Sequence, residues 1–177
     1  MKTIVPLAVV ALAACSTRPY DPDRPEPGTM LIRDLDPVRQ QRENDCGPAC
    51  LTTVLRAWDQ AVTLDELVKA CPPREGGGVT AAALRAEAKK RGLKAFAIEG
   101  TLDDVEEHLA KGRPLIVGLV KRDLFGSRAH YEVVAGLAQD RSYLVLIDPA
   151  RGWMRESKKA FLREWESSGR VLLLIAK

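Results

Sequence analysis

Histidine is nearly absent from this chain, two in 177 residues, which excludes a histidine-rich metal centre. Cysteine is scarce too. The four thiols stand at Cys15, Cys46, Cys50 and Cys71, without the close paired spacing of a zinc finger or ribbon, so no metal is expected. An excess of one charge sign is also lacking. The 27 Lys and Arg against 24 Asp and Glu leave a formal net charge of +3, and the two signs alternate along the chain. No basic stripe is available to follow a phosphate backbone, so nucleic acid is not an expected partner. With 46% hydrophobic and 29% charged residues, the composition is that of a globular protein and excludes a multi-span channel or transporter. There is no internal repeat. The three tryptophans, Trp58, Trp153 and Trp165, read as packing or groove-wall residues, and no cofactor is implied.

What is present begins with a targeting signal. Residues 1–14 carry an early Lys2, an apolar run from position 4 to position 14 and small residues just before Cys15, the layout of a secretory signal peptide. The run is too short to span a bilayer comfortably. Leu12-Ala13-Ala14-Cys15 resembles the lipobox of bacterial lipoproteins. That resemblance implies cleavage before Cys15, acylation of Cys15 and a membrane attachment through the lipid. Ser16 in the next position implies sorting to the outer membrane, facing the periplasm. Residues 15–29 contain Pro19, Pro22, Pro25, Pro27 and Gly28 among charged residues, and this composition predicts an extended tether. Residues 30–177 are then one domain of about 145 residues, enough for a single core.

Within the domain the hydrophobic period changes once. Apolar residues recur at helical spacing over 46–58, opened by Gly47 and Pro48, and proline suits a first helical turn. A second helix is expected over 64–70, capped by Thr63 with Glu66 three residues on, and a third over 80–91, closed by Gly92, after the Gly76-Gly77-Gly78 loop. The period then favours strands at 93–98, 114–120, 130–137, 143–147 and 171–176, with helices at 102–110 and 157–165. Met30 to Arg33 reads as an edge strand or a segment lying along the domain, and positions 120–129 read as a loop that shapes a groove. Helices first and a sheet afterwards define an α+β fold class.

The sharpest chemical feature is Gln40-Gln41-Arg42-Glu43-Asn44-Asp45-Cys46-Gly47-Pro48. A thiol at a helix start lies in the field of the unpaired amides there, which favours the thiolate and so nucleophilicity. Cys46 takes that place, and Gly47 leaves room for a substrate carbonyl near the backbone. A thiolate nucleophile needs an imidazole to protonate the leaving amine, and the imidazole needs an acceptor that fixes its tautomer. Of the two histidines, His108 sits in a charged amphipathic helix beside Glu106 and Glu107, whereas His130 opens an apolar strand and is the candidate base. Asp148 ends the apolar run 143–147 and is the candidate acceptor. An oxyanion donor just upstream of the nucleophile is supplied by Gln40, six residues before Cys46, or Gln41, five before it.

The order Gln, Asp-Cys-Gly, His followed by an apolar strand, then Asp-Pro eighteen residues later resembles the papain-like cysteine peptidases that remove bacteriocin leader peptides at a double-glycine site. The similarity runs from about Leu31 to the C-terminus. It implies a papain-like fold with a helix packed on an antiparallel sheet, a Cys46, His130 and Asp148 triad, Gln40 in the oxyanion hole, and a peptide or protein substrate. Two other readings share these cues: a non-catalytic peptide-binding lipoprotein on the same scaffold, and an acyltransferase that passes the thioester acyl group to an amine. Cys50 and Cys71 are either a disulfide between the first two helices or two buried free thiols. Cys46 and Cys50, four apart on one helix face, form a further alternative as a redox pair.

Overall fold

The computed structural model of the chain describes residues 17–74, 77–123 and 126–177. The expected signal peptide, the lipidation site Cys15 and Gly76 lie outside the described residues. In chain order the elements are β1 (Thr17–Pro19), β2 (Thr29–Leu31), α1 (Cys46–Ala57), α2 (Leu64–Ala70), α3 (Ala81–Lys90), β3 (Lys94–Glu99), α4 (Leu102–Ala110), β4 (Leu115–Asp123), β5 (Gly126–Ala138), β6 (Tyr143–Asp148), β7 (Gly152–Ser157), α5 (Lys158–Glu166) and β8 (Val171–Ala176).

Local chemistry sets the helix ends. Thr63 and Glu66 form a reciprocal capping box at the start of α2, and Thr101 and Asp104 do the same for α4. The Thr80 and Ser157 hydroxyls cap α3 and α5. After α3 the chain turns through Gly92 at φ 84°, a left-handed conformation that glycine adopts without steric cost.

The strands form one sheet in the order β1-β7-β6-β5-β4-β8-β3, with β2 added on β5, and every pairing among the described residues is antiparallel. The fold is α+β, as the change of period predicts. On one face α1, α2 and α3 bury Leu51, Val54, Leu55, Leu67 and Leu84 against Ile116, Val133, Ile147 and Leu173. On the other, α4 and α5 bury Val105, Leu109, Phe161 and Trp165 against Val117, Val134, Leu146 and Leu172. Successive strand residues point to opposite faces, so covering both faces makes the central strands apolar throughout; β6 is buried along its whole length.

Three expectations change. The proline-rich segment is not a free spacer over its described part: Thr17, Arg18 and Pro19 pair with Glu156, Arg155 and Met154, and the Tyr20 amide donates to the Trp153 carbonyl at 3.0 Å. An edge strand tolerates proline because one side of its backbone needs no partner, and Glu26, bridging Arg18 and Arg155, holds the segment down. Strand β7 is absent from the sequence reading because Arg155 and Glu156 break its apolar pattern, although Glu156 is fully buried. The stretch 120–129 is not a loop over most of its length: Val120, Lys121 and Arg122 pair with Ala129, Arg128 and Ser127 in a hairpin that extends β4 and β5 past the rest of the sheet.

Candidate active site

The ladder between β5 and β6 ends at the pair Val133 and Ile147. Beyond it β5 continues only with β4, and His130 and Asp148 meet across the opening. His130 Nε2 lies 3.0 Å from Asp148 Oδ1, and both side chains are buried. Cys46 stands beside the same imidazole, close enough to help raise its pKa. Because Nε2 is committed to Asp148, the nitrogen left for sulfur is Nδ1.

Cys46 reaches this position because the first turn of α1 docks on Tyr131, the neighbour of His130. A Cβ on Gly47 would stand 3.2 Å from Tyr131 Cδ2 and 3.3 Å from Leu84 Cδ1, so the glycine serves close packing of the helix start. Pro48, without an amide hydrogen, occupies a first-turn position where none is needed. Asp45 precedes the helix without capping it: its carboxylate accepts from the Arg42 amide at 3.0 Å and closes the turn before Cys46. Burial pushes the Tyr131 hydroxyl up to about 12, helped by the neighbouring Cys46 and Cys50.

Asp148 sits in a turn that satisfies it. Oδ1 also accepts from the Ala150 amide at 2.8 Å, and Oδ2 contacts Arg151 Nε at 2.5 Å. Burial alone would raise its pKa, but the hydrogen bonds from His130 and Arg151 outweigh it and hold the carboxyl well below the usual carboxylate range. For His130 burial favours the neutral ring, yet the hydrogen bonds with Asp148 and Cys46 and the charge of Glu132 raise it to about 9. The pair is thus a carboxylate beside a readily protonated imidazole. It opens on a cleft of about 250 Å³ whose walls include Lys121, Arg122, Arg128 and Arg151.

Gln40 is near but turned. Its amide donates to the Pro149 carbonyl at 3.0 Å, which ties the segment before α1 to the Asp148 turn. Its side-chain Nε2 donates to the carbonyls of Arg42 at 3.1 Å and Glu43 at 3.5 Å, and Oε1 is buried without a hydrogen-bond partner. Gln41 is exposed.

Cys50 and Cys71 are free thiols, not a disulfide. Both point into the core beneath α1, the Cys71 sulfur facing the Ala83 carbonyl at 3.9 Å. Burial pushes the Cys50 thiol well above its ordinary value and that of Cys71 up to about 11. A thiol held protonated is a poor redox partner, which removes support for a Cys46 and Cys50 pair. His108 is half-buried on α4, on the far layer of the sheet.

Sequence reasoning misses Arg151, Lys121 and Glu132. His130, Glu132 and Asp148 bring three donor atoms within 4.8 Å of one another. That set is already occupied by cations: Lys121 Nζ is 2.9 Å from Glu132 and Arg151 Nε contacts Asp148, so a metal ion would have to displace both. The signal for Glu132 is visible in hindsight, a charge inside the apolar run His130-Tyr131-Glu132-Val133-Val134.

An archaeal relative from Methanothermobacter thermautotrophicus, an uncharacterized protein, is 31% identical over 137 residues, 77% of this chain and 86% of that one. The lactococcin-G-processing and transport ATP-binding protein LagD of Lactococcus lactis is 27% identical over 128 residues, 72% of this chain but 17% of that longer protein. The crystal structure of the peptidase domain of Streptococcus ComA, a bifunctional ABC transporter, superposes with a TM-score of 0.65 at 26% identity, covering 78% of this chain and 96% of the domain. The model of the peptidase C39 family matches residues 34–177, and the chain belongs to that family.

Proposed function

We propose that this protein is a cysteine peptidase that opens peptide bonds through Cys46. The observation that carries the reading is the His130 ring hydrogen-bonded to Asp148 with the Cys46 thiol beside it. His130 takes the thiol proton and the sulfur adds to the scissile carbonyl. The imidazolium then gives its proton to the leaving amine as the carbon–nitrogen bond breaks. Water, deprotonated by His130, attacks the thioester, releasing the acid and restoring the thiol. Asp148 fixes the ring and balances its charge. The oxyanion is met by the Cys46 amide and by Gln40 Nε2. The Gln40 proton directed at Glu43, at 3.5 Å the weaker of its two hydrogen bonds, is the one to be surrendered to substrate.

The substrate is a peptide cut after Gly-Gly, in keeping with the leader-processing peptidases that the motifs resemble and with the processing role in the name of LagD. The protein works in the cell envelope, lipid-anchored at Cys15 on the outer membrane facing the periplasm; the apolar run and the Leu12-Ala13-Ala14-Cys15 motif support this.

Mass spectrometry of synthetic Gly-Gly peptides incubated with the protein tests the activity. Two products summing to substrate plus water are expected, with none from Cys46→Ala or His130→Ala. Intact peptide and no covalent labelling of Cys46 by a thiol-reactive peptide would leave a binding protein on this scaffold. A product in which an added amine replaces water would make it an acyltransferase. Incorporation of labelled fatty acid, lost in Cys15→Ser, tests the anchor.

A further inference from the structure

The strand that carries His130 carries a second charged side chain two residues on. Period two puts Glu132 on the face of His130, and its carboxylate is fully buried. Elsewhere that face of β5 and β6 is lined by Val134, Leu144 and Leu146, and a valine at position 132 would fill the space without burying a charge. Glu132 Oε1 instead lies 2.9 Å from Lys121 Nζ, 3.9 Å from Arg151 Nη2 and 3.9 Å from His130 Nε2, ion-pair contacts that hold the carboxylate although neither of its oxygens has a well-aligned hydrogen bond among the described residues. Lys121 in turn reaches Glu164 of α5 at 2.6 Å and Glu156 of β7 at 3.5 Å.

Every element around the ring therefore contributes a titratable or charged side chain: Cys46 from α1, Lys121 from β4, Glu132 from β5, Asp148 from β6, Arg151 from the following turn, Glu156 from β7 and Glu164 from α5, with Arg122 and Arg128 on the cleft wall. With four carboxylates ionised against the two cations Lys121 and Arg151, the buried group carries two uncompensated negative charges, and a protonated His130 removes one of them. Burial pushes Glu156 up to about 7 and raises Glu132, while the neighbouring Lys121 pulls both back down.

We propose that Glu132 is a positioning residue for His130: held by Lys121, it is a second carboxylate behind the ring that, beside Asp148, stabilises the imidazolium facing the Cys46 sulfur. The proposal rests on the peptidase reading above for its purpose, but its test does not depend on turnover. The full chain is titrated by NMR on the His130 ring. In Glu132→Gln the midpoint is expected to fall by about one pH unit, the change typical of losing one nearby opposite charge. In Glu132→Asp, which keeps the charge, most of the shift is recovered. On a cleavable peptide, the alkaline limb of kcat moves down with the ring while KM stays within about twofold. A role in packing alone would lower the melting temperature and leave the midpoint in place. Should Glu132→Gln not fold, Glu132→Val, which fills the same space without a charge, takes its place with the same fall expected. A midpoint equal to wild type in the folded variant overturns the proposal, whereas failure of the wild type to cut any peptide, with the midpoint still moved, overturns only the peptidase reading.

Discussion

Cys46 and Cys50 lie one turn apart on the same helix, yet one sits against a charged network and the other in hydrocarbon. Beneath α1, Cys50 and Cys71 are packed among leucines and valines, and burial is the largest cause that raises their thiols. On the side of His130, groups that are also buried are matched: Asp148 by His130 and Arg151, Glu132 by Lys121. The difference teaches that desolvation by itself silences an ionisable group, whereas desolvation with a fixed partner gives it a defined charge and direction. Cys46 stands where the two regions meet.

Substitution on either side of that boundary sharpens the contrast. Cys46→Ala should lower kcat/KM for a cleavable peptide by at least about 10³-fold, while Cys50→Ala should stay within a few-fold of wild type; equal losses would erase the distinction. Asp148→Asn keeps the shape but not the charge, and a loss of about 10³-fold in kcat is expected. Leu51→Ala, entirely on the apolar side, should cost about 2–5 kcal/mol in denaturant unfolding and leave kcat at permissive temperature nearly unchanged.

A smaller effect separates the two regions by pH. His130 is raised to about 9, so its contribution to stability is complete below its ordinary 6.5 and is lost as pH rises through about 9. The depressed Asp148 has the opposite sign: its contribution is present above its ordinary 3.8 and disappears only as pH falls into strong acid. Melting temperatures from pH 6.5 to 9.5 should therefore decline in the wild type by more than in His130→Ala. Parallel declines would mean that the ring gains nothing from its partners. Smallest of all, native-state alkylation followed by peptide mapping should leave Cys50 and Cys71 unmodified while Cys46 reacts.

Much of this architecture is written locally. Helices α2 and α4 are announced by Thr63 with Glu66 and by Thr101 with the acidic turn after it, and the apolar run of β8 allows no other reading. The three side chains singled out for chemistry also meet, because strands β5 and β6 are neighbours and each residue stands where its apolar run meets the opening. What is not legible depends on partners far along the chain. Strand β7 carries Arg155 and Glu156 because Tyr143 stacks under the guanidinium, 3.8 Å from its ring centre, and Lys121 lies beside the carboxylate. Residues 17–19 form a strand only because β7 offers an edge. Cys50 and Cys71 remain apart because the core orients them, which spacing does not reveal. The direction of the Gln40 amide is likewise set by carbonyls in its own turn.

The central claim is that Cys46, His130 and Asp148 act as one unit, and a double-mutant cycle read on the alkylation rate of Cys46 tests it most directly. Asp148→Asn should slow alkylation at least about tenfold when His130 is present and have no effect when His130 is already alanine. An Asp148→Asn effect of the same size in both backgrounds would mean that the carboxylate does not act through the ring, and the account would be wrong.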